Sequence, residues 1–174
     1  MSLQTTGERV DLEREKRFLA AHTAAHDRIY RYFRRRTDGL ATAEDLCAEV
    51  FRIVWEKSGH GDDLSVIVLF GVARNVLRNH DRSLSRSAGL IGALRLERIH
   101  GTPAQGYAVR DGIDHLAPKE REVLLLTYWD GLTAVEVSHL LNTSATAVRM
   151  RLHRARKELG RVLQQQTVSD GATP

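Results

Sequence analysis

The chain has 174 residues, of which 42% are hydrophobic, and it carries a formal net charge of +4 at pH 7. This length allows one or two small domains, each with a hydrophobic core of its own. The single cysteine, Cys47, excludes an internal disulfide and a zinc site built from several cysteines. The longest apolar run, 66–73, is too short to cross a bilayer. We therefore expect no signal peptide, no membrane insertion and a cytoplasmic protein.

The first part of the chain is predicted to form three helices, because proline is scarce and no long alternation of Thr, Val or Ile indicates a strand. A first helix, 11–36, would end at the turn-forming Thr-Asp-Gly sequence that follows it. Thr42 can cap a second helix that continues through Trp55. A polar loop, 57–65, leads to a third helix at 66–83. The inner side of the first helix is predicted to include Phe18, Leu19, His22, Ile29, Tyr30 and Phe33.

A glycine-rich segment separates these helices from a second domain. Five glycines and Pro103 interrupt the helical periodicity before Ile113, and they predict a flexible linker with a short helix around 90–99. After Gln164 the chain is polar, and we expect this tail to be disordered. The predicted boundaries are 1–86 for the first domain, 87–112 for the linker, 113–165 for the second domain and 166–174 for the tail.

The second domain is predicted to begin with a helix from Pro118 to Trp129, followed by two helices joined by a tight turn. Thr133 and Glu136 have the spacing of a capping box, in which each side chain bonds to the backbone amide of the other residue. Asn142 tolerates the left-handed backbone that ends a helix, and Ser144 can cap the next one. The predicted buried face of the first of these two helices consists of Val135, Val137, Leu140 and Leu141.

The last helix has an apolar stripe on one side and a basic face on the other. The stripe consists of Val148, Leu152, Ala155 and Leu159. The opposite face carries Thr146, Arg149, Met150, His153, Arg154 and Lys157. A helix that sits on a core and presents arginine outward suits insertion into a DNA major groove. Charge alone would favour a merely solvated face, whereas the capping box, the short turn and the basic helix together favour DNA binding.

Charge is also segregated within the first domain. From 38 to 63 there are seven acidic residues and two basic ones, whereas from 74 to 86 there are four arginines and one acidic residue. An acid-rich helix suits a basic protein partner, and an arginine-rich helix suits phosphates. Two solvated faces, or salt bridges between adjacent helices, would explain the same segregation.

Three segments resemble, in order, parts of the extracytoplasmic-function (ECF) sigma factors of bacterial RNA polymerase. Residues 43–55, AEDLCAEVFRIVW, resemble the helix that binds core polymerase in that family. Residues 69–82, LFGVARNVLRNHDR, resemble the segment that recognises the promoter −10 element. Residues 116–159, which contain EREVLLL, GLTAVEV and RLHRAR, resemble the domain that binds the −35 element. The resemblance covers about 29–159 and implies an all-α fold with a region 2 helical bundle and a region 4 helix-turn-helix.

The resemblance implies a protein that binds core RNA polymerase and directs it to promoter DNA, without chemistry or a cofactor of its own. In the family, the polymerase-binding helix packs on the clamp helices of the largest polymerase subunit. Many relatives are held by an anti-sigma factor, which makes such a protein a further candidate partner.

The resemblance also assigns roles to individual residues. Those that match the polymerase-binding helix are Asp45, Leu46, Glu49, Phe51 and Arg52, although Leu46 and Phe51 can instead belong to the core. Those that match the −10 segment are Arg74, Asn75, Arg78, Asn79 and Arg82, with Asn75 at the site of a flipped base. Those that face the −35 groove are Arg149, Met150, His153 and Arg154, within the basic face described above.

Two other functions remain open from the residues alone. The first is a stand-alone helix-turn-helix regulator, which would bind an operator tightly without polymerase. The second is a metal-dependent nuclease that would use His60, Asp62 and Asp63 as ligands. Those three residues lie in a short glycine-containing loop without supporting ligands elsewhere, so a solvated loop without a metal is the favoured interpretation.

Overall fold

The computed structural model describes residues 3–59, 62–88 and 107–170, and within these ranges every regular element is a helix. The all-α fold class predicted from the sequence is therefore confirmed. The chain divides into two compact units, Met1–Leu96 and Glu97–Pro174. None of the helices in the described ranges combines the length and the apolar character that a membrane span requires.

Up to residue 88, the described part of the first unit forms a bundle of three helices: α1 (Leu3–Arg34), α2 (Leu40–Lys57) and α3 (Val66–Ala88). Each of the three packs against the other two. Apolar and aromatic side chains recur every three or four residues along each helix, so one side of each helix faces the shared core. The fully buried side chains of this core include Ile29, Phe33, Val50, Leu69 and Phe70.

The structural roles predicted for Leu19 and Thr42 are wrong. Leu19 was placed on the inner side of α1, but it is 54% exposed. It follows Phe18, which faces α2, and adjacent helical residues point about 100° apart. Thr42 does not cap α2, because Gly39 adopts an extended backbone as the N-cap and the helix starts at Leu40.

The described residues of the second unit, 107–170, form four helices: α4 (Tyr107–Asp114), α5 (Pro118–Tyr128), α6 (Ala134–Leu140) and α7 (Ala145–Asp170). The long α7 packs against each of the other three, and α5 also packs against α6. Pro118 occupies the first turn of α5, where its missing N–H has no helical partner to lose. The fully buried side chains of this core include Val123, Leu126, Leu132, Val137 and Val148.

The helices α4 and α7 extend beyond the predicted bounds of the second domain. Helix α4 begins at Tyr107, inside the predicted linker 87–112, and Gly112 is buried. A Cβ atom on Gly112 would lie 2.6 Å from Leu159 Cδ1, so this glycine allows α4 to approach α7 closely. Helix α7 continues to Asp170, into the tail predicted to be disordered. The short helix predicted around 90–99 lies outside the described residues.

Candidate nucleic-acid interface

Side-chain caps fix the start of α6 and the start of α7, and a left-handed residue lies in the turn between these two helices. Thr133 Oγ1 accepts from the Glu136 amide at 3.2 Å, and Glu136 Oε2 accepts from the Thr133 amide at 2.7 Å. After α6, Asn142 has a left-handed backbone with φ of 49°. Ser144 Oγ then accepts from the Ala147 amide at 3.1 Å at the start of α7. The predicted capping box, turn residue and cap are therefore all confirmed.

The apolar stripe of α7 fixes the orientation of this helix about its own axis. Val148, Leu152 and Ala155 are buried against the rest of the second unit, and Leu159 is half-buried. Because these side chains face inward, the residues between them face solvent. The six residues that were predicted to form the basic face are all exposed: Thr146, Arg149, Met150, His153, Arg154 and Lys157.

The predicted buried face of α6 is wrong at Val135, and Leu140 and Leu141 are only half-buried. Val137 is fully buried, but Val135 is 50% exposed. Residues two apart in a helix point about 160° away from each other, so a short helix with one packed side cannot bury both. Ser138 is buried instead, and its hydroxyl donates to the Val135 carbonyl at 2.7 Å. This internal hydrogen bond satisfies the buried hydroxyl.

The basic side chains of α7 differ in how they are held. Arg154 Nε lies 3.0 Å from Glu120 Oε1 on α5. Arg156 Nη1 donates to the Tyr128 hydroxyl at 3.3 Å, also on α5. Within the described part of the chain, no residue forms a hydrogen bond or an ion pair with Arg149. Arg149 therefore keeps all its guanidinium donors for an external ligand.

Helix α3 turns a second polar face to solvent. Leu69, Phe70, Ala73 and Val76 are buried in the first unit. Four of the five residues matched to the −10 segment are exposed and Arg74 is half-buried; the exposed ones are Asn75, Arg78, Asn79 and Arg82. Asp81 interrupts this basic face, and burial raises the pKa of its carboxyl above the usual value. The structure thus brings the predicted −10 residues onto one helix, with a single carboxylate among them.

The outer face of α2 carries a ladder of charges. Arg52 donates to Glu49 from Nη2 at 2.6 Å and from Nε at 2.7 Å. Its other terminal nitrogen, Nη1, donates to Glu56 at 2.5 Å. Hydrogen bonding to Arg52 lowers the pKa of Glu49 below its usual value. Asp45 is exposed one turn before this ladder, and Leu46 is half-buried.

Phe51 does not belong to this outer face, which corrects its predicted role in binding polymerase. It is only 6% exposed. Its ring lies against Phe18, His22 and His26 of α1, with centroid distances of 6.3, 4.4 and 5.9 Å. Since α2 must bury one side in the bundle, Phe51 contributes to the packing of α1 on α2, which is the core role that the sequence left open for it.

Two carboxylates in the loop considered as a metal site, those of Asp62 and Asp63, instead form hydrogen bonds within the loop. Asp63 Oδ1 accepts from the Ser65 amide at 2.8 Å, and its other oxygen accepts from the Ser65 hydroxyl at 3.0 Å. Asp62 accepts from the Gly59 amide. His60 lies outside the described residues. Among the residues that are described, no group of three or more His, Cys, Asp or Glu side chains could hold a metal ion.

Sequence reasoning missed Glu120 and the pair Arg14 and Trp55. Glu120 contacts the basic face from a different helix, 34 positions before Arg154, and no local pattern signals such a pairing. Arg14 lies over the Trp55 ring, with its guanidinium carbon 4.3 Å from the ring centroid, and ties α1 to the end of α2.

A capped helix-turn-helix with an exposed basic second helix, accompanied by a separate helical bundle, defines an all-α DNA-binding protein of transcription. Comparison with known proteins is more specific. Residues 107–159 match the family described as Sigma-70, region 4. The ECF RNA polymerase sigma factor SigM of Bacillus subtilis is 31% identical over 141 residues, which cover 75% of this chain and 85% of SigM. The chain therefore belongs to the ECF family of RNA polymerase sigma factors.

One further relative supports this membership, and one solved structure supports the fold. The ECF sigma factor BldN of Streptomyces coelicolor is 29% identical over 150 residues, or 79% of this chain, although the match spans only 56% of the length of BldN. The solved structure of the sigma factor RpoE from Bartonella quintana, in complex with the anti-sigma factor NepR, superposes with a TM-score of 0.61. It is 20% identical, and the match covers 86% of this chain and 96% of RpoE, so it supports the fold.

Proposed function

We propose that this sigma factor binds core RNA polymerase and directs it to promoters through two separate DNA-binding helices. Helix α7 reads the −35 element, α3 contacts the −10 element, and the outer face of α2 binds polymerase. The observation that carries the proposal is the exposed basic face of α7, because the caps and the buried stripe hold it in a defined orientation. Sigma factors are transcription initiation factors rather than enzymes, so the proposal includes no reaction.

For the −35 element, the proposal depends on the side chains that α7 presents to a major groove. Arg149 has all its donors available, and the planar arginine fork can bind the O6 and N7 acceptors of guanine. Met150 and His153 lie beside it on the exposed face and can contact base edges. Thr146 and Lys157, at the two ends of this face, can reach phosphates, which fix register without reading sequence.

For the −10 element, the proposal depends on α3. Asn75 is exposed and carries an amide that can hydrogen-bond to the edge of a base. Arg78 and Arg82 lie one turn apart on the same side and can hold successive phosphates of a single strand. Extruding a base from a duplex costs a few kcal/mol, which contacts to the flipped base must offset. Arg74 and Asn79 complete this surface.

For polymerase, the proposed contacts are the exposed or half-buried side chains of α2. They are Asp45, Leu46, Glu49 and Arg52, without Phe51. The carboxylates suit a basic partner surface, and the half-exposed leucine adds apolar area at the edge of the contact. We place this contact on the clamp helices of the largest subunit, as the resemblance implies.

The same proposal assigns a role to each predicted domain. Residues 1–86 would bind polymerase and the −10 element, and 113–165, extended to include α4, would bind the −35 element. A protein that acts on polymerase and promoter DNA works in the cytoplasm. RpoE is in complex with an anti-sigma factor, NepR. We propose that an anti-sigma factor can also bind this chain.

The test is transcription by purified core polymerase and the full chain from a library of promoters with randomised −35 and −10 elements. Each promoter in the library carries its own transcribed barcode, so sequencing the barcodes in the transcripts should reveal two preferred elements, and the Arg149→Ala protein should lose preference within one of them. Arg161→Ala is the matched control, because Arg161 lies on the same helix but pairs with Glu158 at 2.5 Å. Transcripts without any sequence preference would refute the proposal. Tight binding of duplex DNA without polymerase would instead identify a stand-alone regulator.

A further inference from the structure

The ion pair between Arg154 and Glu120 connects the proposed DNA-reading helix to a different helix. Arg154 Nε lies 3.0 Å from Glu120 Oε1. The arginine side chain is 59% exposed, whereas the glutamate side chain is only 19% exposed. The carboxylate is therefore set back toward the protein, and the guanidinium extends past it toward solvent.

Both ends of this ion pair are attached to well-fixed backbone. Glu120 lies in the first turn of α5, where its amide donates to the Ala117 carbonyl at 2.9 Å and the helix dipole favours a carboxylate. The next residue, Arg121, anchors the same turn by donating to the Ile113 carbonyl at 3.2 Å. On α7, Arg154 is followed by the fully buried Ala155. The pair therefore joins two helices that cannot easily shift apart.

The atom that Glu120 contacts determines what Arg154 can still bind. Nε is the inner nitrogen of the guanidinium group, and both terminal nitrogens lie on its outer edge. An ion pair at Nε holds the guanidinium group beside Glu120 and leaves the four N–H donors of the terminal nitrogens for an external acceptor. An arginine held in this way loses less rotamer freedom when it binds DNA than an unrestrained arginine does, so it discriminates more strongly between base edges that fit its position and those that do not.

The carboxylate has a second, opposing effect on DNA. A negative charge beside the basic face repels phosphates, whatever the base sequence. Glu120 should therefore weaken binding to all DNA slightly while it sharpens binding to the correct sequence. These two effects have opposite signs, so they can be measured separately.

We propose that Glu120 is a positioning residue that orients the Arg154 guanidinium for base recognition in the −35 element and thereby increases selectivity at the expense of affinity. The proposal rests on the function proposed above, in which α7 reads this element. In this proposal α5 affects promoter selection indirectly: Glu120 acts through Arg154, and α5 itself does not contact the DNA bases.

The experiment makes two measurements on the full chain with core polymerase. The first is promoter preference in the randomised library, and the second is the affinity for a DNA duplex of unrelated sequence. Arg154→Ala first identifies the base pair whose preference depends on this arginine. Glu120→Ala should reduce that preference by about fivefold or more, since one bidentate contact provides discrimination of that order. The same variant should bind the unrelated duplex about twofold more tightly, because one nearby negative charge is removed.

Two further variants separate orientation from charge. Glu120→Gln keeps an acceptor for Nε without the charge, so the preference should stay near that of the wild type while affinity for the unrelated duplex rises. Glu120→Asp keeps the charge but withdraws the acceptor by one methylene, so the preference should fall while that affinity stays constant. Glu158→Ala, which removes a carboxylate that pairs with Arg161, should leave the preference unchanged.

The outcomes distinguish this inference from the proposed function. A wild-type protein without promoter preference would refute the proposed function and the inference with it. A wild-type preference that Arg154→Ala or Glu120→Ala leaves unchanged would refute the inference alone. If Glu120→Ala lowered both the base-pair preference and the affinity for unrelated DNA, Glu120 would have only a structural role. Glu120→Asp would check that conclusion, because this variant keeps a carboxylate at the start of α5.

Discussion

The capping box of α6 should make a measurable contribution to the stability of the second unit. Helix α6 has only seven residues, which is too short to be stable without its caps and its packing. In Thr133→Ala, the Glu136 amide loses the hydroxyl acceptor that lies 3.2 Å away, while Glu136 can still accept from the residue 133 amide. The loss of one N-cap of this kind costs about 1 kcal/mol.

The assay follows urea unfolding of the full chain in a background that isolates the second unit. The chain contains two tryptophans, Trp55 in α2 and Trp129 at the end of α5. With Trp55→Phe, the fluorescence of Trp129 reports the second unit alone. For a domain of this size the urea dependence is about 1 kcal/mol per M, so Thr133→Ala should lower the midpoint by about 1 M.

The control is a second threonine in the same region. Thr143 follows the left-handed turn, and among the described residues its side chain forms no hydrogen bond. Thr143→Ala should therefore change the free energy of unfolding by less than about 0.5 kcal/mol. Thr133→Ser should retain the cap and the wild-type midpoint. Equal midpoints for Thr133→Ala and Thr143→Ala would refute the stabilising role of the capping box.

Four other variants or conditions give separate predictions. Arg149→Ala should cost about 1–3 kcal/mol of discrimination at one −35 base pair, measured by transcription from promoters altered there. Asp45→Ala should weaken binding to core polymerase in a titration while circular dichroism stays unchanged. Burial lowers the pKa of His22 below 6.5, so near this pH the unfolded chain binds more protons than the folded chain. The free energy of unfolding should therefore rise as the pH increases up to 6.5, and His22→Gln should reduce this rise. Burial raises the pKa of the Cys47 thiol to about 11, so native protein should resist alkylation at pH 8 until urea unfolds it.

The features that sequence predicted well are those determined by neighbouring residues. The reciprocal bonds of Thr133 and Glu136 span three positions, and the left-handed Asn142 and the Ser144 cap need only the adjacent backbone. The exposed face of α7 follows from helical periodicity, once the apolar stripe is recognised. Local chemistry therefore determines the helix-turn-helix almost completely, which is why its outer residues could be named from the sequence.

The features that sequence missed depend on contacts between distant segments. Gly112 signals a linker by its residue type, yet it is buried where α4 meets Leu159, a contact that no local pattern encodes. Phe51 matches a binding motif, but the rings of α1 cover it. The pairing of Glu120 with Arg154 depends on how α5 and α7 pack. Tertiary packing determines these three features, and a sequence motif alone does not show whether such side chains are buried or exposed.

In the proposed contact between α2 and polymerase, the charge ladder determines which residues of α2 a polymerase surface can use. A basic partner side chain that approaches Glu49 must compete with Arg52, which already donates two hydrogen bonds to that carboxylate. The exchange replaces one ion pair with another, so its net effect on affinity is small. Asp45 forms no ion pair with any of the described residues, so a contact there adds an interaction without removing one. Binding to core polymerase should therefore depend more on Asp45 than on Glu49, although both carboxylates lie on the same exposed face.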